Sequence, residues 1–284
     1  MKLKKSERKK AKIKMALQGP SGSGKTMSSL LIAQGLTNGN LSKVGIIDSE
    51  SGSSNLYSHL GNYNVLKLDN PHSPERYIEA IDVCINSGME VIILDSISHC
   101  WDYLLDYHAS LQGNSFTNWA KIKPLEKAFV NKILESDVHI IATMRVKQDY
   151  VLSERNGKMV PEKVGLKAIQ RDEISYEFTI VFDVDSKHFA VSSKDRTLLF
   201  EGKPQFVINS NTGKKILDWC NSTMTKGELS IKVTECNNVA ELTTLYHNNL
   251  DLAKTIEAEF VDKRDLLNKL TSNITSNGNG THKS

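Results

Sequence analysis

One segment restricts this chain to a narrow set of folds: Gly19, Pro20, Ser21, Gly22, Ser23, Gly24, Lys25 and Thr26, with Met27 after it. The spacing is G-x-x-x-x-G-K-T. An apolar run, IKMALQ (13–18), precedes it. Behind it, from about Thr26 to Leu36, Met27, Leu30, Leu31 and Ala33 recur at helical spacing. The order is therefore buried strand, glycine-rich bend, helix. Glycines let successive backbone N–H groups turn inward around an anion. The first turn of the helix adds unpaired N–H donors and its positive end. Lys25 supplies a point charge for the outer phosphates, and the Thr26 hydroxyl is a ligand for Mg²⁺. The segment predicts a site for ATP and Mg²⁺ built from residues Gly19 to Met27.

The rest of the pattern agrees with such a site. VGIID (44–48), VIILD (91–95) and VHIIAT (138–143) are short apolar runs, which suit parallel strands covered on both faces. Ser73 and Pro74 open a helix whose stripe is Tyr77, Ile78, Ile81, Cys84 and Ile85, with Gly88 as its stop. A further helix is expected from Pro124 to Glu135. YEFTIVFDV (176–184) and HFAVSS (188–193) read as a hairpin turning near Asp185-Ser186-Lys187. Alternation of strand and helix predicts an α/β domain with a mainly parallel sheet flanked by helices. The expected organisation is a basic arm (1–12), the α/β domain (13–222), a helical appendage (227–270) and a disordered tail (271–284).

Composition narrows the setting. Four cysteines stand far apart with no C-x-x-C pair, so neither a disulfide framework nor a zinc site is expected. No apolar run approaches the roughly 18 residues that cross a bilayer, and no apolar h-region of a secretory signal follows MKLKKSERKKAK. A cytoplasmic protein without a membrane partner is expected. Formal net charge is only +3, so contact with nucleic acid has to come from local clusters.

Two acidic positions complete the predicted chemistry. Asp95 ends an apolar strand, at the sheet edge where open α/β sheets bind ligands. With Thr26 it can hold Mg²⁺. Glu50 follows strand 44–48 and is placed to activate the attacking water if that strand neighbours the Asp95 strand. Asp48 competes for the same role, and turn chemistry would explain either residue.

At these residues the chain resembles a known family. GPSGSGKTMSSLLIAQGL, IIDSESGSSNLY, VIILDSISHCWD, NSFTNWAKIKP, KVGLKAIQRDEISYEFT and SSKDRT, spread over roughly residues 13–220, resemble the phage-encoded RecA-like ATPases of the single-strand annealing type, grouped with AAA-family ATPases. The resemblance implies a RecA-like P-loop core with Glu50 as its catalytic carboxylate. It also implies binding of single-stranded DNA, annealing or strand exchange, and homo-oligomeric rings or filaments. Lys194 and Arg196 match cations that reach a neighbouring subunit's ATP, where such a charge can raise the rate roughly 10³–10⁵-fold. Where RecA-type proteins carry a γ-phosphate-sensing glutamine, this chain has the shorter Thr143. Coupling between ATP and DNA is then expected to run through Arg145.

Two segments are candidates for DNA contact. Residues 108–121 contain Phe116 and Trp119, which could stack bases or pack in the core. Residues 145–171 contain Arg145, Lys147, Tyr150, Arg155, Lys158, Lys163, Lys167 and Arg171, a local positive excess that could track phosphates or serve as a solvated loop. The leading expectation is a Mg²⁺-dependent ATPase of DNA recombination or replication. The alternative is an ATP-dependent switch or loader with weak hydrolysis, and a small-molecule kinase ranks last. The C-terminal helices could dock a recombination or replication protein.

Overall fold

A computed structural model describes residues 11–155, 158–171, 174–221 and 226–277. The apolar runs form strands because alternate residues serve opposite faces. In β1 (Lys14–Gly19), Met15 and Leu17 enter one core while Ala16 enters the other. The chain continues through α1 (Lys25–Leu36), β2 (Val44–Asp48), β3 (Asn64–Lys67), α2 (Pro74–Asn86), β4 (Val91–Asp95), α3 (Ser98–Ser110) and α4 (Ser115–Glu135). Then follow β5 (His139–Arg155), β6 (Lys158–Ala168), α5 (Ile174–Glu177), β7 (Ile180–Val184), β8 (Phe189–Asp195), β9 (Phe206–Val207) and α6 (Ser210–Asn221).

Among the described residues these strands make one sheet, ordered β3-β2-β4-β5-β1-β7-β8-β9, with β6 paired to β5 alone. The strands from β3 to β7 in that order run parallel, and β8 pairs antiparallel with both β7 and β9. One face buries Ile13, Met15, Leu30, Ile46, Ile93, Phe182 and Ile216; the other buries Ala16, Ile47, Tyr77, Ile92, Phe129 and Ile140. Helices α1 and α6 meet at glycines. A Cβ added to Gly35 would lie 2.0 Å from Ser210 O, and one added to Gly213 would lie 2.0 Å from Ile32 O. Only backbones this bare can approach so closely.

Register brings the chemistry to one sheet edge. Asp48 is level with Asp95, and Gly19 is level with Arg145. The segments 48–50, 95–99 and 143–145 and the glycine-rich loop therefore share the carboxyl ends of the parallel strands.

Residues Lys10–Cys220 form one compact unit, and the helices α7 (Lys226–Glu235), α8 (Val239–Asn248), α9 (Leu250–Lys254) and α10 (Glu257–Asn277) belong to a second. Its core is Leu229, Val233, Leu242, Ala253, Ile256, Phe260 and Leu267. Asn238 caps α8 by accepting from Glu241 N at 2.9 Å, and the Glu241 carboxylate accepts from Asn237 N at 3.0 Å.

Several sequence expectations need correction. Pro124 lies inside α4, which instead starts at Ser115 with Asn114 as its cap, accepting from Phe116 N at 2.8 Å. Residues 98–110 are helical, so 108–121 is no long loop; only 111–114 connect α3 to α4. Residues 145–171 are mostly a β-hairpin, formed as β5 runs on past the sheet edge to Arg155 and returns as β6. The strand expected from 176 starts only at Ile180, behind the turn of α5. The edge strand β3 carried no signal because its residues are mostly exposed and show no apolar alternation. Helix α10 runs to Asn277, past the expected start of a disordered tail at 271. Residues 1–10 of the basic arm lie outside the described residues.

Candidate nucleotide site

The bend after β1 is shaped as an anion cradle. Gly22 and Gly24 hold φ of 77° and 86°, the left-handed region that favours glycine. Ser23 N donates to Pro20 O at 3.2 Å, closing the turn. Among the described residues no protein acceptor takes the N–H groups of Gly22, Gly24, Lys25, Thr26 or Met27. Five donors thus converge at the start of α1. The Ser23 hydroxyl is buried and also lacks a partner among the described residues. Lys25 Nζ donates to Gly19 O and Pro20 O, each at 2.9 Å. Burial holds the Lys25 pKa below the ordinary lysine value, while Asp95 and Glu50 pull the other way. This donor set fits a polyphosphate.

The hydroxyl and carboxylate expected at the metal do meet. Thr26 Oγ1 donates to Asp95 Oδ2 at 2.6 Å, and Thr143 Oγ1 donates to Asp95 Oδ1 at 2.6 Å. Asp95 is only 2% exposed. Burial pushes its pKa up, and the two hydroxyls oppose that shift. A hard oxygen pair beside a phosphate cradle fits Mg²⁺, which takes few protein ligands and keeps waters and substrate oxygens.

Asp48 and Glu50 differ in what surrounds them. Asp48 is fully buried and its acceptors are committed to the turn: Oδ1 takes Glu50 N at 2.7 Å and Gly52 N at 3.3 Å, and Oδ2 takes Ser54 N at 3.0 Å as well as the Ser54 hydroxyl. Asp48 shapes the loop that presents Glu50. Glu50 keeps 22% side-chain exposure and is held by Arg145, whose Nε donates to Oε1 at 2.8 Å and whose Nη2 donates to Oε2. Burial raises the Glu50 pKa, but the Arg145 guanidinium and His99 outweigh it and leave the carboxyl below its usual range.

Residues 11–212, more than two thirds of the chain, match the AAA domain family. The chain belongs to the AAA domain family. It has the α/β architecture of a RecA-like P-loop NTPase with added C-terminal helices. The solved structures similar to this AAA domain include a KaiC-like protein from the hyperthermophilic archaeon Pyrococcus horikoshii, at 16% identity and a TM-score of 0.41, covering 72% of this chain and 88% of that one. No curated protein matches the chain. Among the described residues no helix is long and apolar enough to cross a membrane.

Sequence reasoning did not single out several neighbours of the AAA-domain site. The Ser49 hydroxyl lies 2.8 Å from His99 Nδ1 and accepts from Ser96 N at 3.0 Å, and His99 stacks on His72 with ring centroids 5.0 Å apart. A cavity of about 470 Å³ opens there, lined in part by His72, His99, Asp102 and Asp106. On the other side His188, at the β7–β8 turn, places Nδ1 3.0 Å from Ser23 O. Ser49, Ser96, His99 and Asp102 lie within the phrases that carry the family resemblance, but their contacts with one another and with His72, like that of His188 with Ser23, arise only from chain folding.

The predicted cations and DNA candidates scatter. Arg196 is level with the amino end of β1, since Arg196 N donates to Thr179 O and Thr179 N donates to Lys14 O, and Lys194 pairs with Val181, which is level with Ala16. They are bound locally: Lys194 Nζ donates to Ser175 O at 3.0 Å and to Tyr176 O, and Arg196 Nη2 donates to Tyr176 O at 3.0 Å. Along the strands, Gly19 of the same chain lies about 16 Å beyond the level of Arg196 and about 10 Å beyond that of Lys194, with β7 between β8 and β1. Phe116 is 87% exposed. Trp119 is half-buried, stacked on His108 at 4.3 Å and on Trp101 at 6.1 Å between centroids. With Trp101, Lys123, Lys127 and Arg171 it lines a cavity of about 760 Å³. Lys147 is exposed on β5. Tyr150, Arg155, Lys158 and Lys163 lie on the backbone of the β5–β6 hairpin.

Proposed function

We propose that this AAA domain hydrolyses ATP to ADP and phosphate with Mg²⁺, and couples hydrolysis to single-stranded DNA in recombination or replication. The observation that carries the first half is the Asp95 carboxylate, shared at 2.6 Å by the hydroxyls of Thr26 and Thr143 beside a cradle of free N–H donors. In this reading Thr26 and Asp95 would hold Mg²⁺, which when bound would supply charge neutralisation at the phosphate oxygens. Lys25 leaves the carbonyls of Gly19 and Pro20 for the outer phosphates. Glu50 orients the attacking water and takes its proton. Such a base contributes typically about 10²–10⁴-fold.

Two observations support the DNA half. The β5–β6 hairpin carries Lys147, Arg155, Lys158, Lys163 and Lys167 away from the sheet edge that holds the site. The Trp101–Trp119–His108 stack, with Lys123 and Lys127 beside it, offers an aromatic and cationic wall of the kind that holds unpaired bases. Lys194 and Arg196 act on a neighbour's nucleotide in a homo-oligomeric ring or filament, because their own loop is out of reach. Annealing or strand exchange in a phage cytoplasmic setting is the output most in keeping with the resemblance.

The test is the ATPase rate with and without single-stranded DNA at two salt concentrations. Stimulation that fades with salt supports the reading, since phosphate contacts release counterions. The second reading is a switch or loader with weak hydrolysis that assembles protein partners, including one on the C-terminal helices. The Arg145–Glu50 pair favours it, because a carboxylate held by a guanidinium is a poor base. A rate indifferent to DNA but raised by a protein partner would select it.

A further inference from the structure

Arg145 occupies two positions that matter at once. Its side chain grips Glu50 with two donated hydrogen bonds, a fork-to-fork match of guanidinium and carboxylate. Its backbone is the last part of β5 in register with β1, opposite Gly19. The next residue, Val146, already pairs antiparallel with Ala168 of β6. Arg145 O accepts from Ile169 N at 2.7 Å, and Arg145 N donates to Ser98 Oγ at 3.0 Å. The residue that clamps the carboxylate is thus the root of the hairpin, and strain on either strand of that hairpin reaches it directly.

A clamp of this kind opposes base catalysis by the carboxylate it holds. A general base needs a free lone pair and a pKa suited to taking a proton. The fork engages both Glu50 oxygens and stabilises the charged form, which weakens the base. The other charged groups around Glu50 are Lys25 on α1, His99 on α3, Asp95 at the end of β4 and Asp48 at the end of β2. The grip is also reversible in principle. Arg145 is 41% exposed and Glu50 22%, so water reaches the pair, and exposed pairs are held weakly. A guanidinium fits a phosphodiester by the same bidentate geometry as a carboxylate.

We propose that Arg145 is a positioning residue that keeps Glu50 out of service until single-stranded DNA on the β5–β6 hairpin draws the guanidinium to a phosphodiester and frees the carboxylate. The inference rests on the reading of Glu50 as base and of the hairpin as a strand-binding element. DNA stimulation is then release of a restraint rather than construction of a site.

The experiment compares the full chain with Arg145→Ala and Arg145→Lys, using a thymidine oligonucleotide as the probe. Removing the fork is expected to raise the DNA-free kcat at least about fivefold, a fraction of what a general base supplies. KM for ATP should stay within about twofold, since Arg145 does not hold ground-state nucleotide in this scheme. The oligonucleotide should then add little, and Arg145→Lys should fall between, with the charge kept and the fork lost. A readout without turnover is the NMR titration of the Glu50 carboxyl in nucleotide-free protein, which should move to higher pH in Arg145→Ala. Thermal melts identify a variant that fails to fold, and Arg145→Lys then carries the kinetic comparison. A DNA-free kcat that falls in a folded variant overturns the proposal and makes Arg145 part of the catalytic machinery. So does an unmoved Glu50 titration. A wild-type rate that ignores DNA while Arg145→Ala is still accelerated refutes the DNA trigger but upholds the restraint. A wild-type chain without hydrolysis under any condition refutes the ATPase reading itself.

Discussion

Thr143→Val tests the most buried contact of the site. Valine matches threonine in shape but lacks the hydroxyl that donates to Asp95 Oδ1 at 2.6 Å. Thr143 is fully buried and Asp95 is 2% exposed, so water cannot replace the lost donor without opening the strand ends. Hydrogen bonds to charged groups contribute about 1.5–3 kcal/mol, and a stranded buried acceptor adds to the loss. We expect a destabilisation of about 2 kcal/mol at pH 8, or roughly 4–8 °C in Tm for a unit of this size. The effect depends on pH. Burial already raises the folded pKa of Asp95, so the folded state holds this proton more tightly than the unfolded chain, and the charged form costs stability as pH rises through that pKa. The variant raises it further. The deficit should therefore be larger at pH 8 than at pH 5, where more of Asp95 is neutral. Urea melts at both values, without nucleotide, measure it through the midpoint at constant slope. A loss under about 0.5 kcal/mol at both values, or one larger in acid, would refute a charged Asp95 braced by Thr143.

Three further outcomes are expected. Glu50→Gln should still bind ATP, with turnover reduced by at least about 10²-fold in a steady-state phosphate assay; unchanged turnover removes Glu50 from the chemistry. Mixing Lys25→Ala, which keeps its trans cations, with Arg196→Ala, which keeps its own loop, should restore part of the activity each lacks alone. Absence of any rescue at concentrations where the chains assemble argues against a shared site. His139 is buried, with Nδ1 accepting from Ile13 N at 3.1 Å, and burial takes its pKa down to about 4. Its folded pKa lies below the unfolded one, so stability is intact above about 6.5 and is lost progressively as pH falls towards 4. His139→Gln should flatten that limb of a pH–Tm profile, and an unaltered limb would show that another group governs it.

Legibility followed the range over which each feature is defined. Strands 44–48 and 91–95 were readable because burial on both faces demands unbroken apolar runs. Helix α3 was missed because its sequence mixes aromatic and polar residues without a clean stripe. Trp119 looked like a loop residue until α4 proved to start at Ser115, and then its partners turned out to be Trp101 and His108. The choice between Asp48 and Glu50 was undecidable in a turn rich in acidic and hydroxyl side chains. The structure separates their surroundings: Asp48 is bonded to Glu50 N, Gly52 N and Ser54, and Glu50 to Arg145.

The phosphate cradle belongs to the sequence alone. Its donors are neighbours along the backbone, and two glycines suffice to turn them inward. Everything that regulates or completes the cradle is a matter of tertiary structure. Asp95 meets Thr26 across 69 residues and Thr143 across 48, and Arg145 meets Glu50 across 95. The end of an apolar strand marks Asp95 as a partner for Thr26, but nothing at Thr143 or Arg145 points to Asp95 or Glu50 as a partner; those contacts depend on strand order and register, which arise from how whole hydrophobic faces pack.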